Sequence, residues 1–184
     1  FYFIISGIGV TFQLLAGGFI LGLLGGICLT ILRHNNYGAT VITFFISIIR
    51  GIPLLLQLSF FYFVVPRLLD IRLNLITAGI ISLGLNSSAY IAEILKSGIN
   101  SISKGQFEAA KVLDIPSFYL WKDIIIPQVM RNVMPSLVNE IIALLKETAL
   151  ISTIGGVDIM KKAQMISIER YTYFMPLVIA GLCY

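Results

Sequence analysis

Polar side chains recur at helical spacing inside an otherwise apolar stretch of the chain. Asn86, Tyr90, Glu93 and Ser97 follow one another at i, i+4, i+7 and i+11, so a helix places all four on one stripe. If that helix crosses a bilayer, the stripe either lines a polar path or hydrogen-bonds neighbouring helices. The residue types favour a path for Asn86 and Glu93, and helix–helix hydrogen bonds for Ser87, Ser88 and Ser97.

A second apolar stretch carries three charged side chains. Glu140 and Glu147 share one helical stripe, whereas Asn139 and Lys146 share another about 120° away at 100° per residue. Lys146 therefore cannot pair well with either carboxylate of its own helix. Because an intramembrane charge costs about 2.5–3.5 kcal/mol, we expect Lys146 to meet a carboxylate on another helix or an anionic group of a solute. The alternative is that Lys146 snorkels to the membrane surface.

The charged segment between residues 93 and 123 predicts a compact helical knob. Residues 106–113 read as one short amphipathic helix and residues 116–121 as a second, with large apolar anchors between them. Ala109 and Ala110 form a thin face beside the carboxylate of Glu108, which suits close approach of a partner protein. The alternative is an interfacial loop whose aromatic residues lie among lipid headgroups. The residues themselves leave these two possibilities open.

Several kinds of chemistry find no support in the sequence. It contains no phosphate-binding loop, its single histidine is His34, and its two cysteines lie far apart without metal-ligand spacing. No basic run with interleaved aromatic residues suggests nucleic-acid binding. We therefore predict no catalytic residue, no metal site and no cofactor in this chain.

The composition indicates a multi-spanning membrane protein. Apolar residues make up 58% of the 184 residues and charged residues 12%, against about 25% charged in soluble domains. About 20 apolar helical residues are needed to cross a bilayer core. We also predict an interfacial helix at 39–49, which ends where Arg50, Gly51 and Pro53 break the apolar stretch. We predict an all-α protein with about five spans in one domain over 1–184: residues 1–32, 54–65, 73–92, 132–154 and 171–184.

The knob carries a recognisable pattern. Glu108–Ala110 is followed after three residues by Asp114 and, after nine more, by Ile124–Pro127. This resembles the cytoplasmic loop of the permease subunits of bacterial ABC importers, where Glu-Ala-Ala, Gly and Ile-x-Leu-Pro are spaced identically. The sequence departs from that pattern at two positions. Ile126 in place of leucine is a near-isosteric change, whereas Asp114 in place of glycine matters if the turn needs a positive φ.

Further blocks extend the resemblance to the polar amino-acid uptake subfamily, the histidine, glutamine and arginine type. They are Arg50–Gln57, Leu85–Glu93 and Asn139–Thr148, and with the knob they occur in the family's order. The resemblance favours docking over an interfacial loop. It implies a coupling loop at about 96–127, with five coupling residues: Glu108, Ala109, Ala110, Asp114 and Pro127.

The resemblance also implies a setting for the chain. It places the chain in the bacterial cytoplasmic membrane, with the amino terminus outside and the carboxyl terminus inside, which the near-equal counts of basic residues in the loops do not decide. Expected partners are ABC ATPase subunits that bind ATP and Mg²⁺, an extracytoplasmic solute-binding protein and a second permease subunit. The candidate solute path comprises Asn86, Glu93, Asn139, Glu140, Lys146 and Thr148. The alternatives are a secondary transporter, a passive channel or a non-transporting assembly protein.

Overall fold

A computed structural model of the chain describes residues 2–35 and 38–184, and all regular structure in these ranges is helical. Eleven α-helices occur there, joined by short π-helical segments at Phe60–Val64 and Leu120–Ile125 and by a 3₁₀ helix at Thr148–Ile154. The α-helices are α1 Tyr2–Ile5, α2 Ile8–His34, α3 Ala39–Gly51, α4 Leu54–Ser59, α5 Val65–Leu69, α6 Leu75–Asn100, α7 Lys104–Val112, α8 Ser117–Tyr119, α9 Ile126–Glu147, α10 Ile159–Glu169 and α11 Phe174–Cys183.

Helices long and apolar enough to cross a membrane are fewer than the sequence predicted. In the described ranges two segments qualify, Tyr2–His34 and Leu75–Asn100, and a third does if α3 with Leu54–Leu69 counts as one bent span. The other two predicted spans do not qualify, since α9 contains four charged side chains and α11 has 10 residues. Large apolar side chains are exposed along α2 and α3, where lipid or another protein would cover them.

The helices α2 and α6 form the central pair of the fold. Gly18, Gly22 and Gly26 lie one turn apart on α2 and are all buried, which lets the two helices approach closely. A Cβ atom at Gly22 would lie 2.8 Å from the Ser87 Cβ atom on α6. Apolar residues of α9 and the 3₁₀ helix, including Leu144, complete the core beside this pair.

The break predicted around Pro53 is confirmed as a sharp bend. The helix α3 ends at Gly51, and its axis makes an angle of 97° with that of the segment Leu54–Leu69. Ile52 is extended, as the residue before a proline prefers. The Nε2 atom of buried Gln57 donates to the carbonyl oxygens of Ile49 at 2.8 Å and Ile52 at 3.0 Å. Gln57 therefore satisfies carbonyl groups that the bend leaves without helical partners.

The helix α6 extends through Asn100, beyond the predicted end of its span at residue 92. The first residues of the predicted loop 96–127 are therefore helical. The short helices α7 and α8 follow, and the chain then enters α9 through the π-helical segment, with Pro127 in the first turn of α9. This position suits proline, because the first turn of a helix has amide groups without intrahelical partners.

At the other end of the molecule, α1, α10 and α11 pack together. Ile4, Ile159, Ala163 and Ala180 form their small apolar cluster. Asp158 caps α10 by accepting a 2.8 Å hydrogen bond from the Lys161 backbone N–H. This cluster lies at the start of α2, whereas α7 and α8 lie near the end of α2, so the two short-helix groups occupy opposite ends of the long helices.

Candidate functional site

An aromatic contact anchors the helical knob, formed by residues 104–125, on the long helices. Trp121 lies with its ring centroid 4.9 Å from that of His34 at the end of α2 and 6.2 Å from that of Phe107 on α7, both in edge-to-face geometry. Ile125, which is fully buried, packs with Ile91 of α6 beneath it. Because edge-to-face aromatic pairs favour one geometry, these contacts fix the position of α7 relative to the end of α2.

The outer side of the knob is open. Glu108 and Ala109 on α7 are exposed, and Leu113 and Phe118 are 69% and 67% exposed. Ala110 is only 3% exposed and faces the inside of the knob. The predicted thin face is therefore formed by Ala109 alone, because consecutive helical residues point about 100° apart.

The turn after α7 explains how aspartate can occupy the glycine position of the family pattern. Asp114 has φ of 48°, which is the left-handed region, and its backbone N–H donates to the Lys111 carbonyl oxygen at 3.3 Å. The next N–H, of Ile115, donates to the Ala110 carbonyl oxygen at 3.0 Å. These two bonds end α7 in the manner that usually requires glycine, and aspartate tolerates this conformation better than most residues.

A polar cavity of about 600 Å³ lies between α6 and α9 and is open to the surroundings. Arg50, Tyr90, Glu93, Ser97, Asn132 and Ser136 contribute its polar lining. The Arg50 guanidinium lies 5.0 Å from the centroid of the Tyr90 ring, in a cation–π contact. Arg50, at the end of the predicted interfacial helix, therefore lies at this cavity together with Glu93.

Glu93 is paired with a residue that the sequence did not connect to it. Its Oε1 atom accepts a 2.5 Å hydrogen bond from Nη1 of Arg33 on α2, and this is the one ion pair within the described ranges. The Arg33 and Glu93 side chains are 14% and 31% exposed, so the pair is a charge-assisted bond that is only partly shielded from water. The predicted path residue therefore also ties α2 to α6.

The remaining predicted path residues are distributed over different surroundings. Asn86 is buried, and its Oδ1 atom accepts from Gln57 Nε2 at 3.4 Å. Thr148 is buried and donates to the Leu145 carbonyl oxygen at 2.6 Å. Asn139 and Lys146 are exposed on α9. The described part of the chain therefore does not gather the six residues around one cavity.

Glu140, the last of the six predicted path residues, is partly buried. Its Oε1 atom accepts a 2.7 Å hydrogen bond from Ser87 Oγ on α6, which agrees with the helix–helix role predicted for Ser87. Ser88, for which the same role was predicted, instead donates within its own helix to the Leu85 carbonyl oxygen. Arg50 and Gln57 are two of the contributors that the sequence analysis did not assign to a site. Both lie in the block Arg50–Gln57, and the polar side chains at the ends of that apolar block are the signal that could have identified them.

The chain matches a known family over most of its length. Residues 18–184 match the family described as the binding-protein-dependent transport system inner membrane component. A putative glutamine transport system permease protein, GlnP, of Rickettsia typhi is 49% identical over 99% of this chain and 84% of its own length. The arginine transport system permease protein ArtQ of Bacillus subtilis is 40% identical over 99% of this chain and 84% of its own.

Solved structures agree with the sequence comparison. The crystal structure of an amino acid ABC transporter with histidines superimposes with a TM-score of 0.90 at 35% identity, over 99% of this chain and 86% of that one. An inward-facing conformation of the MetNI methionine ABC transporter shares the fold with a TM-score of 0.82 at 14% identity, over 100% and 90% of the two chains. The chain therefore belongs to the family of binding-protein-dependent transport system inner membrane components.

Proposed function

We propose that this chain is the permease subunit of an ATP-driven importer of polar amino acids. The observation that carries the proposal is the knob, which presents Glu108, Ala109 and large apolar side chains outward while Trp121 packs against the end of α2. A passive channel or a secondary transporter has no need for such an exposed docking element. The relatives named as glutamine and arginine permeases support the choice of solute class.

The partner of the knob is an ATPase subunit that binds ATP and Mg²⁺. Exposed apolar anchors around a small residue and a carboxylate are suited to a groove on such a partner. When two ATPase subunits close, the displacement of α7 passes through Phe107 and Trp121 to α2 and α9. The long helices then move between inward-open and outward-open arrangements, and the ATPases bias this two-state element.

The polar cavity carries groups of both charges that suit an amino acid. An amino acid has a carboxylate and an ammonium group, and the cavity offers the Arg50 guanidinium and the Glu93 carboxylate, whose Oε1 atom also accepts from Arg33. Its volume of about 600 Å³ lies within the range of small-molecule sites. The six predicted path residues stay candidates, with Glu93 at the cavity.

A second permease subunit accounts for the exposed polar side chains of α9. Asn139 and Lys146 project from a predicted membrane helix, and polar groups in that position face protein or a water-filled path rather than lipid. A pair of permease subunits meeting at this face forms the path, and an extracytoplasmic solute-binding protein delivers the solute at the opposite end from α7.

In the proposed orientation, α7 lies in the bacterial cytoplasm and the amino terminus lies outside. The chain then crosses the membrane about five times, through α2, the bent segment α3–α5, α6, α9 and α11. Single cysteines at Lys104 or Gln106, in a background lacking Cys28 and Cys183, test it. We expect a membrane-impermeant maleimide to label both positions only in inverted vesicles. Labelling in intact cells would refute the orientation.

Transport itself is tested with the complete complex. The chain, co-expressed with its ATPase and reconstituted with its binding protein, is assayed for uptake of glutamine, arginine and histidine into proteoliposomes with ATP inside or outside. We expect uptake only when ATP is on the side of α7. Uptake without ATP would support the channel or secondary transporter instead.

A further inference from the structure

A small basic pocket lies where α2 ends, α3 begins and α6 ends. Its volume is about 310 Å³, and its lining includes Arg33, His34, Ala39, Lys96 and Asn100. None of these residues belongs to the knob or to the polar cavity between α6 and α9. The pocket is therefore separate from both, although His34 also contacts Trp121 of the knob and Arg33 is the ion-pair partner of Glu93 at the polar cavity.

The charges around this pocket favour an anion. Arg33 is balanced by Glu93, whereas Lys96 forms no ion pair with any described residue, so the group has one uncompensated positive charge. Arg33 also keeps guanidinium N–H groups beyond the one that Glu93 accepts. A singly charged phosphate ester matches this balance.

The first turn of α3 adds a second feature that suits an anion. Helix α3 has 13 residues and starts at Ala39 after Gly38, whose φ is 65°, and no side chain within the described ranges caps it. The first backbone hydrogen bond of α3 runs from the Ile42 N–H to the Gly38 carbonyl oxygen. The N–H groups before Ile42 in the first turn therefore have no acceptor within the helix. Such an end attracts phosphate groups, and Ala39 lines the pocket.

An apolar cleft adjoins the basic pocket at the end of α2. It has a volume of about 550 Å³ between α2, α6 and α9, with Ile27 and Met130 among its lining residues. Thr30, His34 and Ile99 line both the cleft and the basic pocket. The two cavities therefore adjoin at these three residues. Together, here called the groove, they present cationic groups at the helix ends and apolar side chains along α2, α6 and α9.

We propose that this groove binds an anionic phospholipid, with its phosphate in the basic pocket and an acyl chain in the cleft. A free phosphate fits less well, because it would leave the cleft unoccupied. A zwitterionic lipid also fits less well, because its headgroup would bring a cation close to Lys96. Trp121, which anchors the knob, also lines the cleft. Lipid in the groove would therefore contact the coupling path and stabilise the knob against α2.

The headgroup part of the proposal is tested by native mass spectrometry of the intact transporter complex with phosphatidylglycerol or phosphatidylcholine added. We expect preferential retention of phosphatidylglycerol, weakened about fivefold in Lys96→Gln, the effect of one basic side chain near an anionic surface. Arg72→Gln, a basic residue just before the other end of α6 and outside both pockets, is the matched control and should retain wild-type binding. Equal retention of the two lipids would overturn the proposal.

The acyl-chain part needs a separate variant. Ile27→Trp fills the cleft and should abolish phosphatidylglycerol retention, whereas Ile20→Trp, seven residues earlier on the same exposed stripe, should not. Displacement of the lipid by inorganic phosphate, with no effect of Ile27→Trp, would show a simple anion site. Cross-linking of Ile27→Cys to a second copy, in a background lacking Cys28 and Cys183, would show that protein covers the cleft.

A functional measurement then links the site to coupling, and this step alone rests on the proposed function. In nanodiscs, solute-stimulated ATP hydrolysis should rise with the phosphatidylglycerol fraction in the wild type and in Arg72→Gln, but not in Lys96→Gln or Ile27→Trp. Selective lipid retention without this rise would overturn the coupling role and leave the binding site established. Because retention is measured without transport, a failure of the proposed function is distinguishable from a failure of the lipid site.

Discussion

Ser87 Oγ on α6 donates a 2.7 Å hydrogen bond to Glu140 Oε1 on α9. Ser87 is fully buried and packs beneath Gly22 of α2, so this bond lies where three long helices meet. A carboxylate in an apolar protein interior needs such a donor, since an unsatisfied polar group there is costly. The pair therefore fixes α9 against the α2–α6 pair.

Replacing Ser87 by alanine removes the donor and leaves Glu140 unsatisfied. We expect the free energy of unfolding of Ser87→Ala to fall by about 0.6–1.7 kcal/mol, the range of hydrogen bonds between membrane helices. Thermal unfolding in detergent measures the change. Ser88→Ala is the control, because Ser88 Oγ donates within its own helix to the Leu85 carbonyl oxygen. Equal unfolding temperatures for Ser87→Ala and the wild type would contradict the prediction.

The close approach of α2 and α6 at Gly22 gives a second prediction. An alanine Cβ atom there would lie 2.8 Å from the Ser87 Cβ atom, so the helices would have to separate. We expect Gly22→Ala to unfold at a lower temperature than the wild type. Gly9→Ala, on the same helix with no neighbour within 4 Å of the added atom, should be neutral or stabilising. A Gly22→Ala protein as stable as Gly9→Ala would show that the helix pair adjusts without loss.

The fold could be predicted from the sequence where apolar runs and breakers are strong. The end of the helix at Pro53, the helical knob and the polar stripe on α6 all follow from local residue types. The close packing of α2 on α6 was missed, although Gly18, Gly22 and Gly26 recur every four residues, because small residues indicate a helix contact only when the partner helix is known.

The candidate sites were less predictable. The Arg33–Glu93 pair joins residues 60 positions apart, and no local pattern specifies which of several charged residues will meet. The exposure of Ala109 and burial of Ala110 depend on how α7 rests on Trp121, which helical periodicity alone does not give. Asp114, in contrast, was identified as a position where a positive φ would matter, and its φ of 48° confirms that expectation.

Asp158 predicts a pH-dependent stability at the opposite end of the molecule. Its Oδ1 atom accepts from the Lys161 N–H and its Oδ2 atom from Tyr184 Oη at 2.9 Å. Burial raises the pKa of this carboxyl group above its usual value of 3.8, although the hydrogen bonds oppose the shift. The native state therefore keeps the proton at pH values where the unfolded state has released it.

The sign of the effect follows from this difference. As pH rises from 3.8 through the raised pKa of Asp158, the native state should lose stability relative to an Asp158→Asn variant, which has no proton to release. Asparagine is also a good helix N-cap, so α10 should remain capped. The measurement is the difference in unfolding temperature between the two proteins from acid to neutral pH. A constant difference across this range would contradict the raised pKa.

The last prediction concerns the knob, and it separates coupling from solute binding. Glu108→Lys reverses an exposed charge, and Ala109→Trp fills the thin exposed face without changing charge. Ala110→Trp is unsuitable, because Ala110 is buried and its replacement would disrupt α7. Both exposed variants should fold normally, yet lose solute-stimulated ATP hydrolysis in the reconstituted complex and co-purify less ATPase.

Asp114→Gly serves as the matched control in the same segment. Glycine adopts the left-handed conformation of the turn without the strain of about 1–2 kcal/mol that other residues incur, so this variant should stimulate ATP hydrolysis like the wild type. Solute binding to the permease should be unchanged in all three variants, because the knob lies outside the polar cavity. Wild-type stimulation in both Glu108→Lys and Ala109→Trp would show that α7 is only an interfacial helix, since a groove that closes around this face could not accommodate either side chain.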